Sequence, residues 1–126
     1  MATDIFQSRR NYNEYCRWWT RNENDDEIDE SELKMNRTAT GSFCAKEMSP
    51  IQLNAMNLGG VFRIDGTHTT IKSPDDLGNI KVDDYIEYQG EIWRVDDVQQ
   101  TKAKLQNTYY ADNKNCSHFW YIALRK

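Results

Sequence analysis

The sequence predicts a mainly β fold, a small barrel or sandwich of six to seven strands with one short helix and a long acidic loop. Apolar residues alternate on both sides of a tight turn at Gln89-Gly90, which is the pattern of a β-hairpin. Aromatic and β-branched runs recur between turn residues along the rest of the chain. A length of 126 residues suits one domain, residues 1–126, that buries a single modest core.

The first third of the chain alternates between strand-like and polar segments. Ile5–Thr20 is rich in Tyr and Trp, which predicts one or two opening strands. Residues 22–36 are polar and acidic, which predicts a mobile insertion, either a loop or a marginal helix, that projects from the domain. Thr38–Lys46 predicts the next strand, with a bend or bulge at Gly41.

A short helix is predicted next by its terminal residues. Ser49 can act as the N-cap, Pro50 suits the first helical position, and Gln52 completes a capping box. Gly59 and Gly60 predict the end of the helix. About two turns are too short to be stable alone, so this helix must pack on the sheet or on a neighbouring subunit.

The rest of the chain predicts three pairs of strands, each pair separated by turn-forming residues. The pairs are Val61–Ile64 with Thr67–Lys72, Ile80–Tyr88 with Glu91–Gln99, and Ala103–Tyr110 with His118–Leu124. The middle pair shows the clearest alternation, with Val82, Ile86 and Tyr88 on one face. The last pair should close the fold across the turn-rich residues 111–117.

Charge is distributed unevenly along the chain. The sequence has 16 basic and 20 acidic residues, a net charge of −4 and a pI near 5.1. Residues 23–32 contain no base and seven acids, so the remaining chain carries 16 minus 13, or +3. The seven acids are Glu23, Asp25, Asp26, Glu27, Asp29, Glu30 and Glu32. A general basic surface for duplex DNA is therefore not expected.

Neither export nor membrane insertion is expected from the sequence. The N-terminal residues lack the basic start and apolar run of a signal peptide. No stretch approaches the roughly 20 apolar residues that a membrane helix needs. We expect a protein that is made and folded in cytoplasm.

Few residues suggest catalysis or metal binding. Cys16, Cys44 and Cys116 are odd in number and far apart, so we interpret them as free thiols. Cys116 and His118 form one Cys-x-His pair, but zinc needs three or four ligands, and His68 lies among threonines. A Cys–His nucleophile would also need an orienting third group. We therefore predict no enzyme activity, no metal and no cofactor.

Paired acids are an alternative candidate for a metal site. They occur at Asp25-Asp26, Asp75-Asp76, Asp83-Asp84 and Asp96-Asp97. Adjacent residues of a strand point to opposite faces, so such pairs are poor partners for one ion. Asp83-Asp84 better fits the turn that enters the middle hairpin, and Asp96-Asp97 the solvated far end of that hairpin.

The aromatic residues allow two interpretations. Either they are core and protein-interface residues, or they are stacking platforms for single-stranded nucleic acid. Basic residues adjoin them only at Arg17 and Arg21, which favours core or interface. The aromatics expected at an interface are Trp18, Trp19, Tyr109, Tyr110 and Trp120.

The order of these parts resembles the head-closure proteins of tailed bacteriophages, also called head–tail connector, stopper or head–tail joining proteins. The similarity begins with Gly41–Pro50, continues through the short helix and Thr69–Ile71, and ends in the hairpin. The hairpin motif residues are Asp84, Ile86, Tyr88, Gly90, Trp93 and Val95. Two features depart from the family pattern: Asn54, where members often carry Glu, and the acidic insertion.

The resemblance implies a structural virion protein without covalent chemistry. Such proteins form a homo-oligomeric ring, about six or twelve subunits, between the portal or adaptor and a tail-completion or tail-terminator protein. The ring closes the head after packaging and extends the channel through which DNA passes as cargo. The resemblance suggests a channel or gating segment of Ser49, Pro50, Gln52, Asn54, Gly59 and Gly60. The acidic loop would face the channel instead or as well.

An interpretation from a different class also fits the sequence. A monomeric module with an OB- or SH3-like barrel would bind single-stranded nucleic acid or a peptide. A related phage adaptor or tail-completion protein is a closer alternative. Nucleic-acid binding should fall steeply with salt, whereas ring assembly driven by apolar burial should not.

Overall fold

The computed structural model describes residues 12–23, 25, 29–56, 60–102 and 118–126, and the six strands among them close into one antiparallel barrel. The elements in chain order are β1 Glu14–Trp19, α1 Glu30–Asn36, β2 Gly41–Glu47, α2 Pro50–Met56, β3 His68–Ser73, β4 Tyr85–Tyr88, β5 Glu91–Lys102 and β6 His118–Arg125. Around the barrel the order is β1-β2-β3-β6-β5-β4, and β4 pairs with β1 to close it. The predicted small β-barrel is confirmed, with two short helices where the sequence indicated one. Neither of these helices is long and apolar enough to cross a membrane.

Alternate residues of the strands fill the barrel interior. Successive side chains of a strand point to opposite faces, so Phe43 and Ala45 of β2 are buried while Ser42 and Cys44 are not. The interior residues are Cys16, Phe43, Ala45, Ile71, Leu77, Ile80, Ile86, Tyr88, Val95, Ile122 and Leu124. Complete burial of one Ile or Leu side chain stabilises a fold by about 1.5–3 kcal/mol. The alternation in the sequence is therefore what allows short strands to share one core.

The hairpin predicted around Gln89-Gly90 is confirmed as β4 and β5. Tyr88 pairs with Glu91, and both turn residues have positive φ, 52° at Gln89 and 77° at Gly90. Positive φ at both central residues is the type I′ turn, whose twist matches that of the paired strands. The second position favours glycine because its φ is left-handed.

β4 is shorter than the predicted strand of residues 80–88. Ile80 N–H donates to the Leu77 carbonyl, and both side chains enter the barrel core from a turn-rich segment before β4. Val82, predicted to share a face with Ile86, is 54% exposed. The chain before β4 therefore turns into the core instead of extending the strand, and that part of the prediction is wrong.

β5 is longer than predicted and contains a β-bulge. Its pairing with β6 runs from Arg94 to Lys102 and shifts register between Val95 and Asp97. Asp96-Asp97 therefore lies inside the strand, and its predicted place at the far end of the hairpin is wrong. The second strand of the predicted closing hairpin is confirmed as β6, while residues 103–117 lie outside the described residues.

The strand predicted over residues 61–64 is not formed. Beside β3, residues 63–65 form only isolated hydrogen bonds, from Asp65 N–H to the His68 carbonyl at 2.9 Å and from Thr70 Oγ1 to the Arg63 carbonyl at 3.3 Å, and no ladder. The segment instead covers the outer face of the barrel, where Phe62 is 4% exposed and Ile64 packs beside it. Burial of its apolar side chains does not require the segment to join the sheet.

Gly41 begins β2 and permits close packing of a tryptophan. A Cβ atom on Gly41 would lie 2.7 Å from Trp18 Nε1, which is too close for any other residue. The two residues are Cα partners in a β1–β2 ladder whose register is continuous. The predicted bend or bulge at Gly41 is therefore wrong, and the glycine instead gives the indole room.

The capping box that starts α2 is confirmed. Gln52 N–H donates to Ser49 Oγ at 3.2 Å, and Ser49 N–H donates to Gln52 Oε1 at 3.3 Å. Leu53 anchors the helix on the outer face of β3 and β6. We call the buried residues of this face the α2 cluster: Tyr12, Met48, Leu53, Phe62, Phe119, Tyr121 and Ala123.

Helix α1, in the acidic segment, packs on the other half of the barrel. The Asp29 carboxylate caps it by accepting a hydrogen bond from Ser31 N–H at 2.9 Å. Leu33 is 0% exposed and joins buried residues on the outer face of β1, β4 and β5. We call this group the α1 cluster: Trp19, Leu33, Tyr85 and Ile92. One leucine thus anchors a helix that is too short to be stable alone.

Leu33→Ala should lower the free energy of unfolding by about 2–4 kcal/mol, because it removes buried methyl groups and leaves a cavity beneath α1. Urea denaturation followed by tryptophan fluorescence measures this loss. Met35→Ala is the matched control, since Met35 lies on the same helix and is 82% exposed. That control should change the free energy by less than about 0.5 kcal/mol. Equal losses for the two variants would contradict anchoring through Leu33.

Candidate functional site

Four residues of the predicted hairpin motif, Ile86, Tyr88, Trp93 and Val95, pack in the barrel core. The Tyr88 hydroxyl donates to Glu47 Oε2 at 3.3 Å, and burial raises the pKa of this phenol. The Trp93 indole N–H donates to the Tyr88 carbonyl at 3.3 Å. Both rings therefore fill the core while their polar atoms have partners. These motif residues are accounted for by folding.

Asp84, also in the motif, is a buried carboxylate at the start of β4. It is 4% exposed, and its carboxylate accepts hydrogen bonds from Lys81 N–H at 2.9 Å and Arg21 N–H at 3.1 Å. Its carbonyl accepts a hydrogen bond from Val95 N–H at 2.9 Å. A buried carboxylate needs such donors because its desolvation is otherwise uncompensated. Asp84 thus ties the chain after β1 to the entrance of β4.

The predicted gating residues lie on α2 and beside it. The structure brings the two capping residues, Ser49 and Gln52, together. Those that are exposed to solvent are Ser49, Pro50, Gln52, Asn54 and Gly60. Gly59 lies outside the described residues.

The predicted acidic loop has two environments. Asp25 pairs with Arg37, with Arg37 Nη1 and Asp25 Oδ2 2.8 Å apart. The Asn22 backbone N–H, and then Arg37, hold the pKa of Asp25 below its usual value. The acids that remain exposed are Glu23, Asp29, Glu30 and Glu32. Asp26 and Glu27 lie outside the described residues.

The five predicted interface aromatics do not share one environment. Trp19 is 1% exposed and belongs to the core, which is one of the two roles that the sequence left open. Trp18 and Trp120 are partly buried and pack against the barrel interior. Tyr109 and Tyr110 lie outside the described residues.

The described thiols differ in accessibility. Cys16 is buried in the barrel, and this burial raises the pKa of its thiol to about 12. Cys44 is exposed on the outer face of β2. Cys116 and the His118 side chain lie outside the described residues. In the part of the chain that is described, no group of three or more His, Cys, Asp and Glu residues could hold a metal ion.

A network of ion pairs connects the start of β4 to β5, β6 and β3. Arg125 Nη2 lies 2.8 Å from Asp83 Oδ1, and Arg125 also pairs with Asp96 at the β5 bulge. Arg94 Nη2 lies 3.4 Å from the same Asp83 oxygen, and His68 Nε2 lies 4.0 Å from Asp96. The hydrogen bond from Arg125, followed by the charge of Arg94, lowers the pKa of Asp83. The network orders the surface where three strands and the entrance of β4 meet.

A second cluster combines basic and aromatic side chains on the outer face of β2, β3 and β6. Lys46 and Lys72 are Cα partners in the β2–β3 pair, and both point outwards. Lys46 Nζ lies 5.1 Å from the centroid of the Tyr12 ring, and Lys72 Nζ lies 4.2 Å from that of Phe119. The two rings stack with centroids 6.0 Å apart. We call these four residues the basic-aromatic surface.

The third feature is an open edge of β5. β4 pairs with β5 only from Glu91 to Arg94, whereas β6 follows the other edge as far as Lys102. Among the described residues, no strand pairs with the β4-side edge from Val98 onwards. The Val98 N–H is bonded to Asp97 Oδ1 at 2.9 Å. Since N–H groups alternate along a strand, the next N–H on this edge is that of Gln100.

Sequence reasoning misses the basic-aromatic surface. Its members come from β2, β3, β6 and the residues before β1, so only strand pairing brings them together. The signal in the sequence is alternation. Lys46 follows Ala45 and Lys72 follows Ile71, and the strand pattern predicts that Ala45 and Ile71 are buried. Alternation places each lysine on an outer face but does not pair the two strands.

Comparison with family models, with curated proteins and with solved structures gives no match for this chain. Similarity to a known protein therefore adds nothing to the geometry described above.

Asp83→Asn should lower the free energy of unfolding by about 0.5–1 kcal/mol at pH 7, a small value because these ion pairs are partly exposed and screened. The folded pKa of Asp83 lies below its unfolded value, about 3.9. Its stabilising effect is therefore complete above about pH 5 and is lost as the pH falls through the folded pKa.

Urea denaturation of both proteins at pH 7 and at the lowest pH where the fold persists measures this difference. The difference between the proteins should shrink towards zero in acid. Glu23→Gln, which neutralises an exposed carboxylate outside the network, is the control and should change stability little at either pH. A loss from Asp83→Asn that is the same at both pH values would contradict a contribution from the charged form.

Proposed function

We propose that this chain is a structural virion protein of a tailed bacteriophage and forms a ring between the portal or adaptor and the tail. In this role it closes the head after DNA packaging and extends the DNA channel towards a tail-completion or tail-terminator protein. DNA is passing cargo, and the subunit performs no covalent step and needs no cofactor or membrane. It assembles in the host cytoplasm and stays in the virion.

The order of the elements supports this proposal. The strand β2, the capped helix α2 and the β4–β5 hairpin follow one another as the sequence motifs of the resemblance require. The residues of that resemblance also have coherent structural roles, such as the buried Asp84 at the entrance to β4 and the type I′ turn at Gly90. A chance similarity of sequence would not by itself place these residues at such structural positions.

The observation that carries the proposal is the β5 edge beyond Val98, with which no strand of the described residues pairs. Head-to-tail contacts in a ring join two non-identical patches of neighbouring subunits. An open strand edge is suited to such a contact because its N–H and C=O groups can pair with a strand of another chain. The bond from Val98 N–H to Asp97 satisfies one of these donors internally, which limits pairing with unrelated chains.

Two segments are candidates for the channel lining. Residues 23–32 carry exposed carboxylates, and an acidic lining would let DNA slide because it lacks the Lys and Arg contacts that bind phosphates. Residues 49–60 are the other candidate, since most of the described positions of α2 face solvent. Cross-linking of packaged DNA to the assembled ring would distinguish the two segments.

Reconstitution with a portal assembly from the same genome tests the proposed function. Electron microscopy should reveal a ring of the chain stacked on the portal, or on the portal only after its adaptor is added. The first outcome assigns the adaptor position and the second the stopper position. A chain that remains monomeric by light scattering and has no affinity for either assembly would contradict the proposal.

Gln100→Pro should abolish ring formation and leave the barrel folded, because proline removes the N–H at the open edge of β5. Gln100 is exposed, and its N–H points away from β6, because it lies two residues after Val98 in the same ladder. Ring occupancy on the portal is counted in micrographs, and thermal unfolding verifies the fold. Gln100→Thr, which keeps the N–H and suits a strand, is the matched control. Equal ring occupancy for both variants would exclude this edge as the subunit contact.

One observation favours the second candidate function, a monomeric module that binds single-stranded nucleic acid. The basic-aromatic surface places two lysines side by side on one face of a barrel, and paired lysines can neutralise the phosphates of a single strand. Oligonucleotide binding measured between about 50 and 200 mM salt tests this, because phosphate contacts weaken steeply over that range. Binding that is lost with salt, together with failure to engage the portal, would favour this candidate.

A further inference from the structure

The lysines of the basic-aromatic surface have an unusual electrostatic environment. Lys46 and Lys72 lie directly opposite each other on β2 and β3, and burial followed by the charge of Lys46 lowers the pKa of Lys72. Neither lysine forms an ion pair with a carboxylate among the described residues; their recorded partners are aromatic rings. Two like charges side by side without a counter-charge favour an anionic ligand.

The rings beneath the lysines are not available for stacking by a nucleic-acid base. Tyr12 is 4% exposed and Phe119 is 9% exposed, because both belong to the α2 cluster. Single-strand binding depends on ring faces that accept bases as well as on charge. This surface therefore offers charge without a stacking platform, which suits carboxylates on a protein better than nucleic acid.

A complementary group lies on the other half of the same barrel. Helix α1 packs by Leu33 on the outer face of β1, β4 and β5, whereas the lysines are on the outer face of β2 and β3. Glu30 and Glu32 of α1 are exposed, and in the described part of the chain neither has an ion-pair partner. Within the described ranges, one molecule thus has positive and negative groups without ion-pair partners on different halves of its barrel.

We propose that the basic-aromatic surface of one chain binds helix α1 of a second copy, with Lys46 and Lys72 facing Glu30 and Glu32. The two patches differ, so the contact is head-to-tail. Repeating such a contact closes a ring when the rotation between neighbouring subunits divides a full turn evenly. This inference rests on the proposed ring function and adds a side-chain contact between neighbouring subunits to the contact proposed for the β5 edge. It also places the carboxylates of α1 between subunits, which leaves residues 49–60 as the candidate for the channel.

A charge-exchange experiment tests the contact on the portal. One variant carries Lys46→Glu and Lys72→Gln, and the other carries Glu30→Lys and Glu32→Lys. Each variant alone opposes like charges at every contact, so ring occupancy should be lost. An equimolar mixture should restore rings, because alternating subunits then oppose unlike charges at every contact.

Two controls separate this effect from misfolding. Lys81→Glu reverses an exposed lysine outside the surface and should leave ring occupancy unchanged. Thermal unfolding reports whether each variant is folded. If the substitution at Lys72 unfolds the chain, Lys46→Glu alone replaces it; this change neutralises the patch instead of reversing it, and should weaken ring formation. We expect each variant alone to need a roughly tenfold or higher concentration for half-maximal ring occupancy.

Cross-linking of the unmodified chain gives a readout that does not depend on any variant. Rings are assembled from a mixture of ¹⁴N- and ¹⁵N-labelled chains and treated with a zero-length carbodiimide reagent, which joins amines to carboxylates in contact. Peptides that join Lys46 or Lys72 to Glu30 or Glu32 should include a fraction that carries both labels, because neighbouring subunits differ in label at part of the contacts. Such mixed-label peptides, with restored rings in the mixture of variants, support the contact.

Several results would overturn the inference and leave the ring function intact. These are rings that form equally well from each variant alone, or cross-links from the two lysines to the portal instead of to a second copy. Loss of oligonucleotide binding in Lys46→Gln and Lys72→Gln would assign the surface to nucleic acid and overturn it as well. If the unmodified chain forms no ring on either assembly, it is the proposed function itself that fails.

Discussion

The whole barrel depends on one short strand, β4, which pairs with β1 along one edge and with β5 along the other. Without it, β1 and β5 would each present an unpaired edge, and the alternate residues that now form a core would face water. A strand of four residues has few hydrogen bonds of its own. Its position is therefore determined by what holds its two ends.

Both ends of β4 are held by local chemistry. At the entrance, the Asp84 carboxylate accepts hydrogen bonds from two backbone N–H groups, one of which belongs to the chain after β1. Asp83 beside it adopts a left-handed φ of 74°, which Asp tolerates better than most residues. At the exit, the type I′ turn sets the register with β5. Residues of the hairpin motif thus position β4 so that it closes the barrel.

A closed barrel has outer faces that also need covering, and the two short helices do this. Each is anchored chiefly by one leucine, Leu33 on the α1 side and Leu53 on the α2 side. Because the helices lie on different halves of the barrel, the charged residues near them are separated too. The acids of α1 and the lysines of β2 and β3 cannot neutralise each other within one molecule, which makes contact between copies a natural use for them.

The sequence by itself determined the parts that depend on local pattern. Alternation predicted the barrel strands, the Gln89-Gly90 dipeptide predicted the hairpin turn, and Ser49 with Gln52 predicted the start of α2. These features need only neighbours along the chain, so their residues identify them. The charge imbalance of residues 23–32 was equally visible, because composition does not depend on the fold.

Tertiary structure decided which of these parts meet. It placed residues 61–64 on the outer face of the barrel, where Phe62 is buried, and it turned the chain before β4 into the core. It also brought Lys46 to Tyr12 and Lys72 to Phe119, and among the described residues no strand pairs with β5 beyond β4 on that edge. Strand order and register arise from burial summed over the whole barrel, and a single sequence does not reveal contacts between residues so far apart along the chain.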